Sequence, residues 1–148
     1  MMDRHRAGAI LKELQLKTTP KRVEVMRLLA AEPSFLSADD VWQRLKSSFT
    51  HIGLPTVYRI LDELTGAGVI TRIFLPDRKQ YYFLCTNQEH HHHFVCESCR
   101  RVEDVEQEQC GLDGLAREIS RRSGARVTSH ILQINGVCGT CLKEGAAV

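Results

Sequence analysis

His90-His91-His92-His93-Phe94-Val95-Cys96-Glu97-Ser98-Cys99 sets six nitrogen and sulfur donors within ten consecutive residues. Its two cysteines bracket a tight turn, and the same spacing recurs at Cys138-Gly139-Thr140-Cys141. Two such turns brought together form the tetrahedral sulfur cage that Zn2+ favours. Each pair follows a strand-like run, so adjacent strands would bring the pairs together. The 38 residues between the pairs exceed a compact zinc ribbon's, so a helix and a strand must fold inside the gap. The competing readings of these thiols are a redox-active pair and a coincidence of buried cysteines.

The histidines add a second signal. Residues i and i+2 of an extended segment face one side, so His90 and His92 would point one way and His91 and His93 the other. Four successive histidines can thus serve two separate metal sites; the competing reading is a solvated polar turn. Cys85 ends a strand-like run six residues before His91, and its alternative is a buried strand cysteine. Cys110 precedes a helical stretch without a ligand-like neighbour and reads as a small buried hydrophobe.

Upstream the chain changes character. Ile10, Leu11, Leu14 and Leu16 have helical spacing. Thr18-Thr19-Pro20 supplies a cap and a first-turn proline for a second helix, and Ser37-Ala38-Asp39-Asp40 is a capping box with Asp in place of Glu for a third. Pro55 opens a fourth, which stops at Gly66-Ala67-Gly68. Apolar and aromatic runs at 69–75 and 80–85, parted by Pro76-Asp77-Arg78-Lys79, predict a β-hairpin. Helices followed by a hairpin are the winged helix-turn-helix layout, in which Thr56, Tyr58 and Arg59 of the fourth helix would face a DNA groove. Arg22 would be a phosphate contact and Trp42 a packing residue. Downstream of the first cysteine pair, a strand near 102–105, a helix over 112–123 ended by Gly124, and an alternating strand-like run over 126–135 complete an α+β chain. The expected division is a winged-helix domain at 1–85, a hinge at 86–89 and a metal-binding α/β domain at 90–148.

Composition agrees with a soluble globular protein, at 43% hydrophobic and 26% charged residues. No apolar run approaches the ~20 residues that span a bilayer, nor does the start carry a secretory signal, so a cytoplasmic protein with no membrane partner is expected. The net charge of +2 hides a gradient: residues 1–85 carry +4 and residues 86–148 carry −2. A basic front half suits phosphate. Six cysteines in a reducing compartment read as metal ligands or reactive thiols before disulfides. There is no phosphate-binding glycine loop, nucleophile elbow or HExxH motif, so neither an enzyme nor a small organic substrate is expected.

Three segments together resemble the ferric uptake regulator superfamily: Gly53-Leu54-Pro55-Thr56-Val57-Tyr58-Arg59-Ile60-Leu61, the stretch 90–99, and Thr128-Ser129-His130 followed by the Cys138/Cys141 pair. The resemblance implies a homodimeric, metal-dependent repressor whose two winged helices bind a palindromic double-stranded operator. It places Cys96, Cys99, Cys138 and Cys141 at a structural zinc site. It places His91 and His93 at a hinge site, with Asp104 where several members have a carboxylate ligand. His90, His92 and His130 fall on a second site in the dimerisation domain, with Asp113 aligned to the family's glutamate across a two-residue insertion around 106–110.

Two departures bear on the metal. Where iron and peroxide sensors bring a histidine ahead of the third helix, this chain has Ser34-Phe35-Leu36. Where they have a carboxylate at the end of the wing strand, it has Cys85, as zinc uptake regulators do. Fewer ligands with a thiolate favour Zn2+. Zinc uptake regulators often add an aspartate in the wing, where this chain has Thr71, so the fourth ligand stays open between Asp104, another carboxylate and water. The expected function is a zinc-responsive repressor. The alternative within the superfamily is an Fe2+ sensor using His90, His92, Asp113 and His130, and the remote alternative is a thiol redox or metal-storage protein.

Overall fold

The computed structural model of the protein describes residues 1–87, 89–106 and 110–145. Helix starts fall where side chains satisfy the free backbone donors of a first turn. Asp3 accepts from the Arg6 amide at 2.7 Å and opens α1 (Arg4–Glu13), and Thr19 accepts from Arg22 N ahead of α2 (Pro20–Ala31). Ser37, the last residue of β1 (Leu36–Ser37), forms the capping box of α3 (Ala38–Leu45): Asp40 N donates to its Oγ at 3.1 Å, and its own N donates to Asp40 Oδ2 at 3.0 Å. Burial pushes the Asp40 carboxyl up, but the Ser37 hydrogen bonds and the charges of Arg100 and Arg44 outweigh it and hold the pKa below the usual range. The fourth helix, α4 (Leu54–Gly66), starts on Pro55 at its first turn.

These helices meet on one apolar core. Leu11, Val25, Met26, Leu29, Val41, Leu45, Val57, Leu61 and Leu64 are all essentially inaccessible, each worth ~1.5–3 kcal/mol of burial. The hairpin of β2 (Ile70–Phe74) and β3 (Gln80–Leu84) closes this core, pairing antiparallel from Ile70↔Leu84 to Phe74↔Gln80. β1 adds to the other edge of β3 through Leu36↔Tyr82, giving the order β1-β3-β2. Trp42 packs on this core, donating Nε1–H to Ile52 O at 2.9 Å.

The second sheet centres on β4 (His92–Cys96), antiparallel to β5 (Val102–Val105) and parallel to β6 (Gln133–Gly136). Between β5 and β6 runs α5 (Asp113–Ser123), ended by Gly124 in the left-handed region at φ 68°; α6 (Gly139–Lys143) follows β6. The strand expected over 126–135 is regular only in its last part. β6 pairs with His93–Cys96, so residues 126–131 fall before the start of β4 in that register and, among the described residues, lie in no strand.

Two seams join the halves. Phe35, Ile73 and Tyr81 from the winged helix share a small core with Val95 and Val102 from the second sheet. Beside it the Gln133 amide pairs with the Phe74 backbone, its Oε1 accepting from Phe74 N at 3.1 Å and its Nε2 donating to Phe74 O at 2.7 Å.

Candidate metal centres and nucleic-acid interface

Among the described residues three groups of donor atoms converge, each with all members within 4.8 Å of one another, and β4 with the residues just before it contributes to all three. At the end of β4 the Cys96-x-x-Cys99 turn meets Cys138 and Cys141 at the start of α6. The Cys96–Cys141 and Cys99–Cys138 sulfur pairs are 3.9 and 3.8 Å apart. Sulfurs ~2.3 Å from a central zinc lie ~3.8 Å from one another at a tetrahedron's edges, whereas a disulfide needs ~2.05 Å. The donor set therefore fits zinc. Amides of Cys99 and Cys138 donate to Cys96 Sγ at 3.5 and 3.3 Å. Burial would raise the Cys96 thiol, but hydrogen bonds from the Cys138, Cys99 and Ser98 backbone bring it down to about 6. The Ser98 side chain favours the Cys141 thiolate too, yet Cys138, burial, Cys99 and Cys96 push that thiol up to about 12. Four thiolates this close need a cation to ionise together.

The second group lies between the halves. Cys85, just past β3, places Sγ 3.2 Å from His91 Nε2, which is 3.0 Å from His93 Nε2. Asp104 of β5 completes it, its Oδ1 3.8 Å from His91 Nε2 and 3.5 Å from His93 Nε2; the register His93↔Asp104 across β4 and β5 puts it there. His91 Nδ1 lies 2.7 Å from Glu89 O. Donating that N–H leaves the Nε2 lone pair aimed at the group, the arrangement of an oriented metal ligand. Burial and the neighbouring His91 lower the His93 pKa against the pull of Asp104. Burial, and after it the Asp104 charge, raises that of Cys85 despite a hydrogen bond with the Asn87 backbone.

The third group is His90, His92, Cys110 and His130. Cys110 Sγ lies 3.4 Å from His92 Nε2 and 3.3 Å from His130 Nε2. His92 is buried, and burial, then His90, His130 and His91, lowers its pKa. The fourth member differs from the sequence reading, which had Asp113 here and Cys110 as an inert hydrophobe. Asp113 heads α5, with its amide donating to Cys110 O at 3.2 Å. The turn thus presents the thiol, while the Asp113 carboxylate lies outside the group. The insertion that shifted the alignment was placed around 106–110, of which 107–109 lie outside the described residues, and no local pattern marked Cys110.

On α4, Val57, Ile60, Leu61 and Leu64 face the core, leaving Tyr58 and Arg59 exposed and Thr56 half-buried. Arg22, expected as a phosphate contact, is engaged within the winged helix. Its guanidinium donates to Glu63 Oε2 at 2.5 and 3.0 Å and to Lys17 O at 3.2 Å, tying α2 to α4 with only 14% of the side chain exposed. Sequence reasoning missed Arg78 and Lys79, which line an open cleft with Tyr58, Tyr81 and Arg100. Two adjacent cations in the turn of a wing are the signal that could have found them. Ser34-Phe35-Leu36, with no histidine to offer, docks instead on the cysteine turn: Phe35 N donates to Arg100 O at 3.0 Å.

The sequence profile of the ferric uptake regulator family matches residues 13–135. The Ferric uptake regulation protein of Escherichia coli (strain K12) is 36% identical over 138 residues, 90% of each chain. A zinc uptake regulator complexed with zinc and DNA superposes with a TM-score of 0.77 at 26% identity, covering 97% of this chain and 95% of that one. The Vibrio cholerae ferric uptake regulator superposes at 0.62 with 30% identity, over 88% and 98% of the two chains. With its winged helix, second sheet and three donor groups, the chain belongs to the ferric uptake regulator family and is a metal-responsive transcription regulator, not an enzyme.

Proposed function

We propose that the protein is a zinc-responsive repressor that binds a palindromic operator as a homodimer. The observation that carries this reading is the convergence of Cys85, at the end of the wing strand, with His91, His93 and Asp104 of the second half. A zinc ion held there supplies a bridge between the two halves. His93, whose pKa burial lowers, and His91, oriented by its contact with the Glu89 carbonyl, turn their Nε2 atoms into the group. Cys85 and Asp104 complete a four-ligand set with one sulfur, which suits Zn2+ better than Fe2+. The third group points the same way, because Cys110 stands where an iron reading needed the carboxylate of Asp113. Cys96, Cys99, Cys138 and Cys141 hold the structural zinc in this proposal.

Repression follows from geometry. Operator half-sites lie ~34–36 Å apart per DNA turn, so the angle between winged helix and second half decides whether both copies of α4 dock. Thr56, Tyr58 and Arg59 meet the groove, with Arg78 and Lys79 reaching phosphate. Residues 1–85 form the DNA-binding domain and 90–148 the dimerising one; Gln88, within the hinge at 86–89, lies outside the described residues. The dimer is supported by α5, which buries no residue within one chain and exposes Leu115 and Ile119, and by Ile131, 90% exposed. The greater similarity in shape to the zinc- and DNA-bound regulator than to the Vibrio cholerae ferric regulator, despite lower identity, supports a DNA-competent arrangement of domains.

Cys85→Ala tests the proposal. It should leave one cage zinc per chain and the dimer intact while abolishing zinc-dependent operator binding in gel shifts. A variant that still responds to zinc with wild-type affinity removes the support for zinc and returns the Fe2+-sensing alternative to the front.

A further inference from the structure

Arg100 follows Cys99 directly, and its backbone sits in the left-handed region at φ 64°. That conformation is costly for any side chain and natural for glycine. The turn imposes it, since Arg100 N donates to Cys96 O and Cys96 N to Arg101 O, both at 2.9 Å. An arginine here keeps strain that glycine would relieve, and what it gains lies across the seam. Its guanidinium sits 5.6 Å from the Phe35 ring centroid and 5.5 Å from that of Tyr81, within range of cation–π attraction. Nη1 reaches Asp40 Oδ2 at 3.4 Å. The Arg100 carbonyl takes the Phe35 amide, and Ser34 pairs with Arg101 beside it. Every one of these partners belongs to the winged helix: Phe35 precedes α3, Asp40 is in its first turn, and Tyr81 is in β3.

We propose that Arg100 is a positioning residue, a latch that holds the winged helix against the cysteine turn and so sets how closely Cys85 approaches His91, His93 and Asp104. The regulatory consequence rests on the zinc reading above; the latch itself does not. Both ionic partners are about half exposed, with side chains 47% and 40% accessible. The ion pair alone is therefore weak, and the latch adjusts affinity without switching it off. Its loss should weaken zinc binding at the Cys85 group and operator binding by about three- to tenfold each, the range of one exposed ion pair with ring stacking.

Arg100→Gly is the informative variant, because it removes the guanidinium while relaxing the backbone. It should keep the cage zinc, the dimer and an unreduced melting temperature. Exchange of the Phe35 amide with deuterated solvent should accelerate, and zinc affinity measured by chelator competition should fall with operator affinity; Arg100→Lys should recover part of both. Unaltered Phe35 exchange with unaltered zinc affinity overturns the latch. So does a loss confined to operator affinity, which would make Arg100, beside Tyr58 in the cleft, a direct DNA contact. If the wild-type protein shows no zinc-dependent operator binding, the functional proposal fails, while Phe35 exchange still decides on the latch.

Discussion

The two halves of the molecule are held together by different physics. In the winged helix, four helices and a hairpin enclose a continuous apolar core reaching from Met2 to Leu84. In the second half the corresponding cluster is Cys96, Cys138 and Cys141 with Phe94 and Val137 against them, and α5 leaves its apolar face in the open. The first half stabilises itself by area. In the proposed reading the second relies on coordination at one end and on a second copy at the other. Small domains commonly need such staples, and on that reading the dependence would be useful, because a fold that needs its metal and its partner is competent only when assembled.

The sharpest way to break this contrast is Cys96→Ser. Binding free energy at a structural zinc is also folding free energy, on the order of 10 kcal/mol. We expect loss of zinc and of the dimer, with the helical signal and melting of the winged helix largely kept in circular dichroism. A folded dimer by light scattering would show that the second half has a core of its own. Next in size, Ile119→Asp puts a charge on the open face of α5. It should raise the dimer dissociation constant at least roughly thirtyfold, about 2 kcal/mol, with zinc content unchanged; sedimentation at micromolar concentration reads it, and an intact dimer would move the interface elsewhere.

Within the winged helix, Arg22→Ala should cost about 1–2 kcal/mol of stability by stranding the half-buried Glu63 carboxylate. The salt dependence of operator binding should stay as it was. A slope lower by ~1 would instead mark a phosphate contact. The finest test counts the protons released by the Cys85 group. Cys85 is held protonated by burial and Asp104, while His93 is kept neutral by burial and His91. Zinc binding at neutral pH should thus expel about one proton, from the thiol, and affinity should rise about tenfold per pH unit below the Cys85 pKa. Calorimetry in two buffers of different ionisation enthalpy counts the protons, and a count of zero would remove Cys85 from the ligand set.

Much of this was legible in the chain because it rests on local rules. Pro20, Pro55 and the Ser37/Asp40 box mark helix starts, and the alternation of His90 to His93 follows from the pleat. What escaped depends on the third dimension. Arg22 is a commonplace surface arginine until Glu63, 41 residues away, is folded beside it. The two-residue β1 is too short to show a period and exists only because β3 offers an edge. Cys110 had no neighbour in sequence to betray it, its partners His92 and His130 lying 18 and 20 residues off. Residues 126–132 alternate like a strand, yet alternation supplies no partner.

The run from His90 to Cys96 feeds all three donor groups, two histidines to each of two and a cysteine to the third. Such a run behaves as a ruler on which every mark is used. Inserting or deleting a single residue within it would exchange the faces of the histidines and displace them against the cysteine turn in one stroke. Substitutions here can be graded in their effects, but a shift of frame by one residue cannot. The stretch should therefore hold its length far more strictly than its letters, and length variants engineered within it should fail at several sites together.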